Sequence, residues 1–294
     1  MRALRAIVAV LALAVALTAL SGCGRDGTDE LVADLEKRAE EAGDQARERA
    51  ERARERLAER VREALDRIRR SVPEATPQTR PPQTAGRTET TQIEAFLTEV
   101  LQSVDGYWTR TLAASGVREP RVGYLWVPPG RVASTGCGVA ADESAAFYCP
   151  SDDTIYIAQE LASDLWRGVS RGFPGERAGY GRAIGDFGVA YVVAHEYAHN
   201  VQAELGLYSI SPRTGAKPFE LQADCMAGLW GNSAYQEGRL QPGDVEEAMS
   251  TASAAGDFDF QNEQHHGTPQ ERREAWLLGY RSGEPSVCQR YVPT

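Results

Sequence analysis

Residues 186–205 read DFGVAYVVAHEYAHNVQAEL, an apolar run of helical length with two histidines four residues apart. The chain enters it from a glycine-rich stretch (Gly172, Gly175, Gly179, Gly181, Gly185) and Gly206 follows it, the punctuation expected around a helix. On a helix His195 and His199 project from one face one turn apart, so a single element presents two imidazoles to the same point. Glu196 lies beside that point. There it is placed to take a proton from a zinc-bound water and pass it to a leaving amine, which is what the H-E-x-x-H pattern supplies in zinc hydrolases.

A catalytic zinc needs a third protein ligand. Glu220-Leu221-Gln222-Ala223-Asp224 offers two carboxylates at i,i+4 on a second predicted helix, with Glu220 as ligand and Asp224 holding the distal N–H of a metal-bound histidine. The bland alternative for this spacing is a solvated acidic pair. All four histidines fall in the same region as two clusters, His195/His199 and His265/His266. His266 immediately precedes a predicted helix N-terminus. That position suits hydrogen bonding to a developing oxyanion or to Asp224, or service as an alternative ligand.

Working outward, helices are predicted from about 92, 186–205, 218–237, 244–255 and 269–281, with strands around 121–127 and 154–157. The last helix opens with Thr268-Pro269-Gln270-Glu271, an N-cap, a first-turn proline and a capping-box glutamate. Few strands among many helices indicate an α+β domain spanning 92–294. The strand at 154–157 is read as a sheet edge able to pair with an extended peptide.

Upstream the composition changes. Residues 71–91, with Pro73, Pro77, Pro81 and Pro82, read as an extended linker. From Leu31 to Ile68, small and apolar residues recur in steps of 4, 4 and 3, a period of 3.67 per turn that keeps the stripe on one face for about 57 Å. Glu48/Arg52, Glu63/Arg67 and Asp66/Arg70 stand at the favourable i,i+4 spacing. This charged helix is a spacer, a coiled-coil stalk that self-associates, or a helix on the membrane surface. Residues 1–22 have a basic start and an apolar run that ends in Leu20-Ser21-Gly22-Cys23, a layout that resembles the bacterial lipoprotein signal, the alternatives being a plain signal peptide or an uncleaved anchor. Lipid on Cys23 would anchor residues 23–70 as a stalk at the extracytoplasmic face of the cell membrane. The four remaining cysteines allow three pairings. Cys137–Cys149 and Cys225–Cys288 are favoured, since the first closes a short loop and the second ties the chain end to the core. By loop entropy they contribute about 3 and about 4 kcal/mol.

The run Phe147-Tyr148-Cys149-Pro150, then Asp153-Thr154-Ile155-Tyr156, Ala190 to Glu196, Val201-Gln202, Glu220 to Cys225, Gly243 to Ala248, and His266-Gly267-Thr268 with Arg272 resembles the neutral zinc metallopeptidase family of bacteria. The resemblance implies a zincin-like fold, with zinc on His195, His199 and Glu220. Ala198, Asn200 and Glu271 stand where that family often has Gly, His and Gln, departures that bear on substrate contacts and leave every proposed ligand in place.

The net charge of -10 provides no basic footprint for nucleic acid, which is dropped as a partner. The expected function is a membrane-tethered zinc metallopeptidase acting on a peptide or protein substrate, with Glu196 as general base and His266 assisting. The alternative is a zinc-bearing, catalytically inactive binding or scaffold lipoprotein.

Overall fold

The computed structural model describes residues 93–210 and 215–291, together with Lys37, Arg38, Gly43, Gln45, Glu48 and Arg52. Those six belong to a first unit, Met1–Arg54, and the rest to a second, Glu55–Thr294. In the first unit the six are helical, and Arg52 pairs with Glu48 at 2.8 Å. The signal segment, Cys23, the 71–91 linker and the remainder of the 31–68 helix lie outside the described residues. No helix among the described residues is long and apolar enough to cross a membrane.

The first element among the described residues of the second unit is α1, Ile93–Ala114, whose buried side chains Ile93, Phe96, Leu97, Val100, Leu101, Val104, Tyr107, Trp108, Thr111 and Leu112 recur at steps of three and one. That stripe lies on the central helix. β1 (Gly123–Val127), a two-stranded ribbon of β2 (Ala133–Ser134) and β3 (Ala140–Ala141), β4 (Ala146–Cys149) and β5 (Thr154–Ala158) follow. β5 is the middle strand of a three-stranded sheet, parallel to β1 and antiparallel to β4. It therefore cannot serve as the edge expected from the sequence. Its run Ile155-Tyr156-Ile157-Ala158 is buried throughout, as a strand flanked on both sides requires. The edge that faces the histidines is β4.

The helices complete the domain: α2 (Gln159–Trp166), α3 (Pro174–Arg177), α4 (Asp186–Glu204), α5 (Leu207–Ile210), α6 (Lys217–Gln236), α7 (Asp244–Ala255) and α8 (Pro269–Ser282), then a 3₁₀ turn at Pro285–Tyr291. The architecture is mostly helical with a small sheet, α+β as expected. α4 is apolar nearly all round because it is central: it contacts α1, α2, α6, α7 and β4. Tyr197 on α4, fully buried, donates its hydroxyl to Asp105 of α1 at 2.7 Å.

α6 and α8 form the most intimate helix pair. A Cβ at Gly228 would stand 2.1 Å from the Trp276 carbonyl oxygen, and one at Gly279 1.9 Å from that of Cys225. Only glycine permits this backbone approach. The predicted capping box at the start of α8 is formed: Glu271 N–H donates to the Thr268 hydroxyl at 3.2 Å and Thr268 N–H to the Glu271 carboxylate at 2.9 Å. Both favoured disulfides are present, Cys137–Cys149 tying the turn between β2 and β3 to the end of β4 and Cys225–Cys288 joining α6 to the terminal turn.

Candidate metal centre

α4 and α6 cross so that the imidazoles of His195 and His199 meet the carboxylate of Glu220. His195 Nε2 lies 3.1 Å from Glu220 Oε2 and His199 Nε2 3.3 Å from Oε1. One donor atom from each of the three lies within 4.8 Å of the others.

The other ring nitrogens are engaged. His195 Nδ1 donates to Asp224 Oδ1 at 2.9 Å, and His199 Nδ1 donates to Gln202 Oε1 at 2.8 Å. These contacts fix the Nδ1–H tautomers and turn both Nε2 lone pairs toward the Glu220 carboxylate. Three potential metal-donor atoms then converge, an arrangement that suits a cation. Burial works to lower the His195 pKa, but Asp224 and Glu220 push it up to about 10; burial likewise opposes the ionised Glu220 carboxylate, yet His199 and His195 hold it well below the usual carboxylate range. A divalent ion competes for these same lone pairs, and the two-nitrogen, one-oxygen set with open space on one side suits catalytic zinc.

Asp224 is fully buried. Besides His195 it accepts from Arg272 Nε at 2.8 Å, Arg272 Nη2 at 2.9 Å and the Tyr191 hydroxyl at 2.5 Å. Arg272 is buried as well, and its Nη2 lies 3.3 Å from His195 Nε2. The guanidinium keeps the Asp224 carboxyl low against the opposing effect of burial, so a full carboxylate holds His195. Arg272 thus occupies the place beside Asp224 that the sequence offered to His266. His266 is partly exposed at the cleft rim, with its N–H and Nδ1 directed to Asp257 at 2.9 and 3.2 Å.

Glu196 is buried next to the histidines, and its Oε2 accepts the Tyr148 N–H at 2.9 Å. That hydrogen bond fixes the carboxylate on the free edge of β4. Burial raises its pKa, the direction that suits a group required to accept and return a proton near neutrality. A cleft of about 440 Å³ opens over this constellation, lined by Phe147 and Tyr148 of β4, Val192 and Glu196 of α4, Tyr208, and His266.

Sequence reasoning brought forward the two histidines, Glu196, Glu220 and Asp224, which the structure assembles in one place. Tyr191, Gln202 and Arg272 stand in the motifs that carry the family resemblance, but their roles as partners of His195, His199 and Asp224 were not read from the sequence, although Tyr191 and Gln202 each lie a turn from a histidine on the same face. Ala198 and Asn200 are fully buried, and Asn200 donates to the Arg121 carbonyl and to Asp153. Glu271 caps α8 and pairs with Lys217 at 2.6 Å. None of the three lines the cleft: Ala198 and Asn200 are packed in the core and Glu271 caps α8.

A second acid group, Asp186, Asp244 and Glu247, sits at the N-terminus of α4, where Glu247 accepts the Phe187 N–H at 3.1 Å. Burial and the Asp186 charge push Glu247 up to about 7, and burial brings Asp244 to about 6.

Comparison with known proteins follows the same line. The family described as "Putative neutral zinc metallopeptidase" matches residues 62–291. Escherichia coli "Uncharacterized protein YpfJ" is 37% identical over 180 residues, 53% of this chain and 58% of the relative. Mycobacterium tuberculosis "Uncharacterized protein Rv2575" is 31% identical over 215 residues, 64% of this chain and 67% of the relative. The chain therefore spans little more than half the length of the Escherichia coli protein. No solved structure matches.

Proposed function

Because the chain belongs to the neutral zinc metallopeptidase family, we propose that it hydrolyses peptide bonds at the cleft over His195, His199 and Glu220, on a zincin-like scaffold. The observation that carries the reading is the convergence of those three donors beside a buried carboxylate, Glu196, that is not itself needed as a ligand. Zinc, when bound there, supplies a Lewis acid that acidifies water and polarises a carbonyl.

The remaining work falls to the protein. Glu196 has Oε2 tied to the Tyr148 N–H, so Oε1 is the atom that accepts the proton of the attacking water and later returns it to the departing amine. In β4, Phe147 and Cys149 stand opposite Tyr156 and Thr154 of β5, while the Tyr148 N–H points away from β5 toward Glu196. By the alternation of an antiparallel ladder, the backbone groups of Ala146 and the carbonyl of Tyr148 face the cleft, the Tyr148 N–H being taken by Glu196. An extended peptide added along that edge would be held by main-chain hydrogen bonds, giving affinity without a fixed sequence. His266, at the rim, is the donor available to a developing oxyanion on that side.

The N-terminal reading completes the proposal. A lipid on Cys23, a charged helical stalk and the 71–91 linker would hold the domain at the extracytoplasmic face of the membrane, within reach of polypeptides there.

The test is a peptide-library digest with and without chelator, using wild type and Glu196→Gln, with metal content measured on both. Glu196→Gln should keep its zinc and lose about 10²–10⁴-fold in rate. Undiminished cleavage by that variant sinks the mechanism. Stoichiometric zinc without any cleavage points instead to a zinc-bearing binding protein.

A further inference from the structure

Three aromatic side chains lie open to solvent beside the cleft: Tyr180 is 52% exposed, Phe258 44% and Phe260 63%. They form one group. The Tyr180 and Phe258 rings are 5.2 Å apart and Phe258 and Phe260 6.3 Å. Singly exposed apolar residues need no explanation, but a cluster of aromatics marks a contact surface.

The surface continues the cleft. Ala255 and His266, at the two ends of the loop that carries Phe258 and Phe260, both line the cleft. Phe173 and Pro174, at the start of the stretch that leads to Tyr180, line it as well. The loop is also held in shape. Asp257 N–H donates to the Gly267 carbonyl at 2.9 Å, and the Asp257 carboxylate accepts from the N–H groups of Asp259 and His266, each at 2.9 Å. The His265 ring bonds the same carboxylate and packs 5.1 Å from Phe260. Further out, the Glu263 carbonyl accepts from Ala216 N–H at 2.8 Å. A surface so tied pays little ordering entropy when something docks on it.

We propose that Tyr180, Phe258 and Phe260 form a docking site for apolar segments of an extended or unfolded polypeptide, the chain of which runs on into the cleft. The proposal deepens the peptidase reading and rests on it for the direction of the chain. The sequence argues against other occupants. The 71–91 linker contains one valine and no aromatic residue, so it offers nothing to bury against three rings. The loop 256–267 carries Asp257, Asp259 and Glu263 and neither Lys nor Arg, the wrong sign for an anionic lipid surface.

The test uses the full chain carrying Glu196→Gln, with fluorescently labelled casein as a permanently unfolded probe. The added substitutions Phe258→Ser and Phe260→Ser should weaken casein binding at least about tenfold, as loss of aromatic anchors does at interfaces. Tyr180→Ser, on a separate element, should weaken it in the same sense. With Glu196 left intact, the paired Phe variant should lose kcat/KM on casein and retain it on a short peptide that fills only the cleft. Unchanged casein binding overturns the proposal. So does a patch whose loss abolishes instead binding to phosphatidylglycerol vesicles, or self-association in sedimentation. If the wild type cleaves nothing, the peptidase reading fails while casein binding still decides the docking site.

Discussion

Substituting Gly279 by alanine adds one methyl group at the tightest point of the α6/α8 crossing. The new Cβ would stand 1.9 Å from the Cys225 carbonyl oxygen, about 1.1 Å short of the 3.0 Å below which real contacts do not occur. Its obstacle is backbone on a helix cross-linked by Cys225–Cys288, so no side chain can swing aside. The helices must part. Overpacking of this kind costs about 1–3 kcal/mol, and at 2–4 °C per kcal/mol for a domain of this size the melting temperature should fall by about 2–12 °C. The damage should reach the metal centre, because Asp224 adjoins Cys225 and Arg272 lies two turns before Gly279. Opening the pair strains the 2.8 and 2.9 Å bonds by which Arg272 holds Asp224 against His195. Loss of such support lowers metal affinity about 10–100-fold.

Gly106→Ala is the control. On α1 its Cβ would meet only the flexible end of Arg110 at 3.3 Å. There the helix gains about 0.5–1 kcal/mol, so the same chemical change should raise the melting temperature. Thermal unfolding by circular dichroism and a competitive zinc titration read both variants. A Gly279→Ala protein that melts with wild type and binds zinc equally would refute the argument that backbone contact at this crossing sets the geometry of the site.

The acid group at the start of α4 predicts a pH dependence of stability. Glu247 is raised in the folded state to about 7, so the fold is favoured fully below its ordinary value of 4.5 and loses that contribution as pH rises through about 7. Glu247→Gln keeps an oxygen acceptor for the Phe187 N–H, and its melting temperature should gain on wild type across that window; parallel curves would dismiss the effect. The disulfides should differ under mild reductant. Cys137 is exposed, whereas Cys225 and Cys288 are buried, so mass spectrometry should find Cys137–Cys149 opened first, with Cys225–Cys288 persisting until the domain unfolds. Early opening of Cys225–Cys288 would contradict the packing described for the terminal turn.

What could be read from the chain was local. The His195/His199 and Glu220/Asp224 pairs repeat at one helical turn, and the Thr268–Glu271 cap is complete within four residues, so their geometry follows from helix periodicity alone. The sheet was less legible. β4 is only Ala146–Cys149, too short for alternation to show, and without it β5 looked like an edge. With β4 in place, the peptide-facing edge moves to the strand whose Tyr148 N–H already touches Glu196.

Arg272 shows why sequence stops where it does. The family resemblance singles it out, but nothing local in Arg272-Arg273-Glu274 marks it for burial, and it is buried while Arg273 and Glu274 are exposed. Its burial depends on Asp224, 48 residues earlier, and on the Tyr191 hydroxyl, 81 residues earlier. A buried guanidinium is tolerable only when such partners are assembled, and they meet only because Gly228 and Gly279 let α6 and α8 close. The support of the metal centre is therefore a property of the helix crossing, and the glycines that set the crossing are part of the site even though neither lines the cleft.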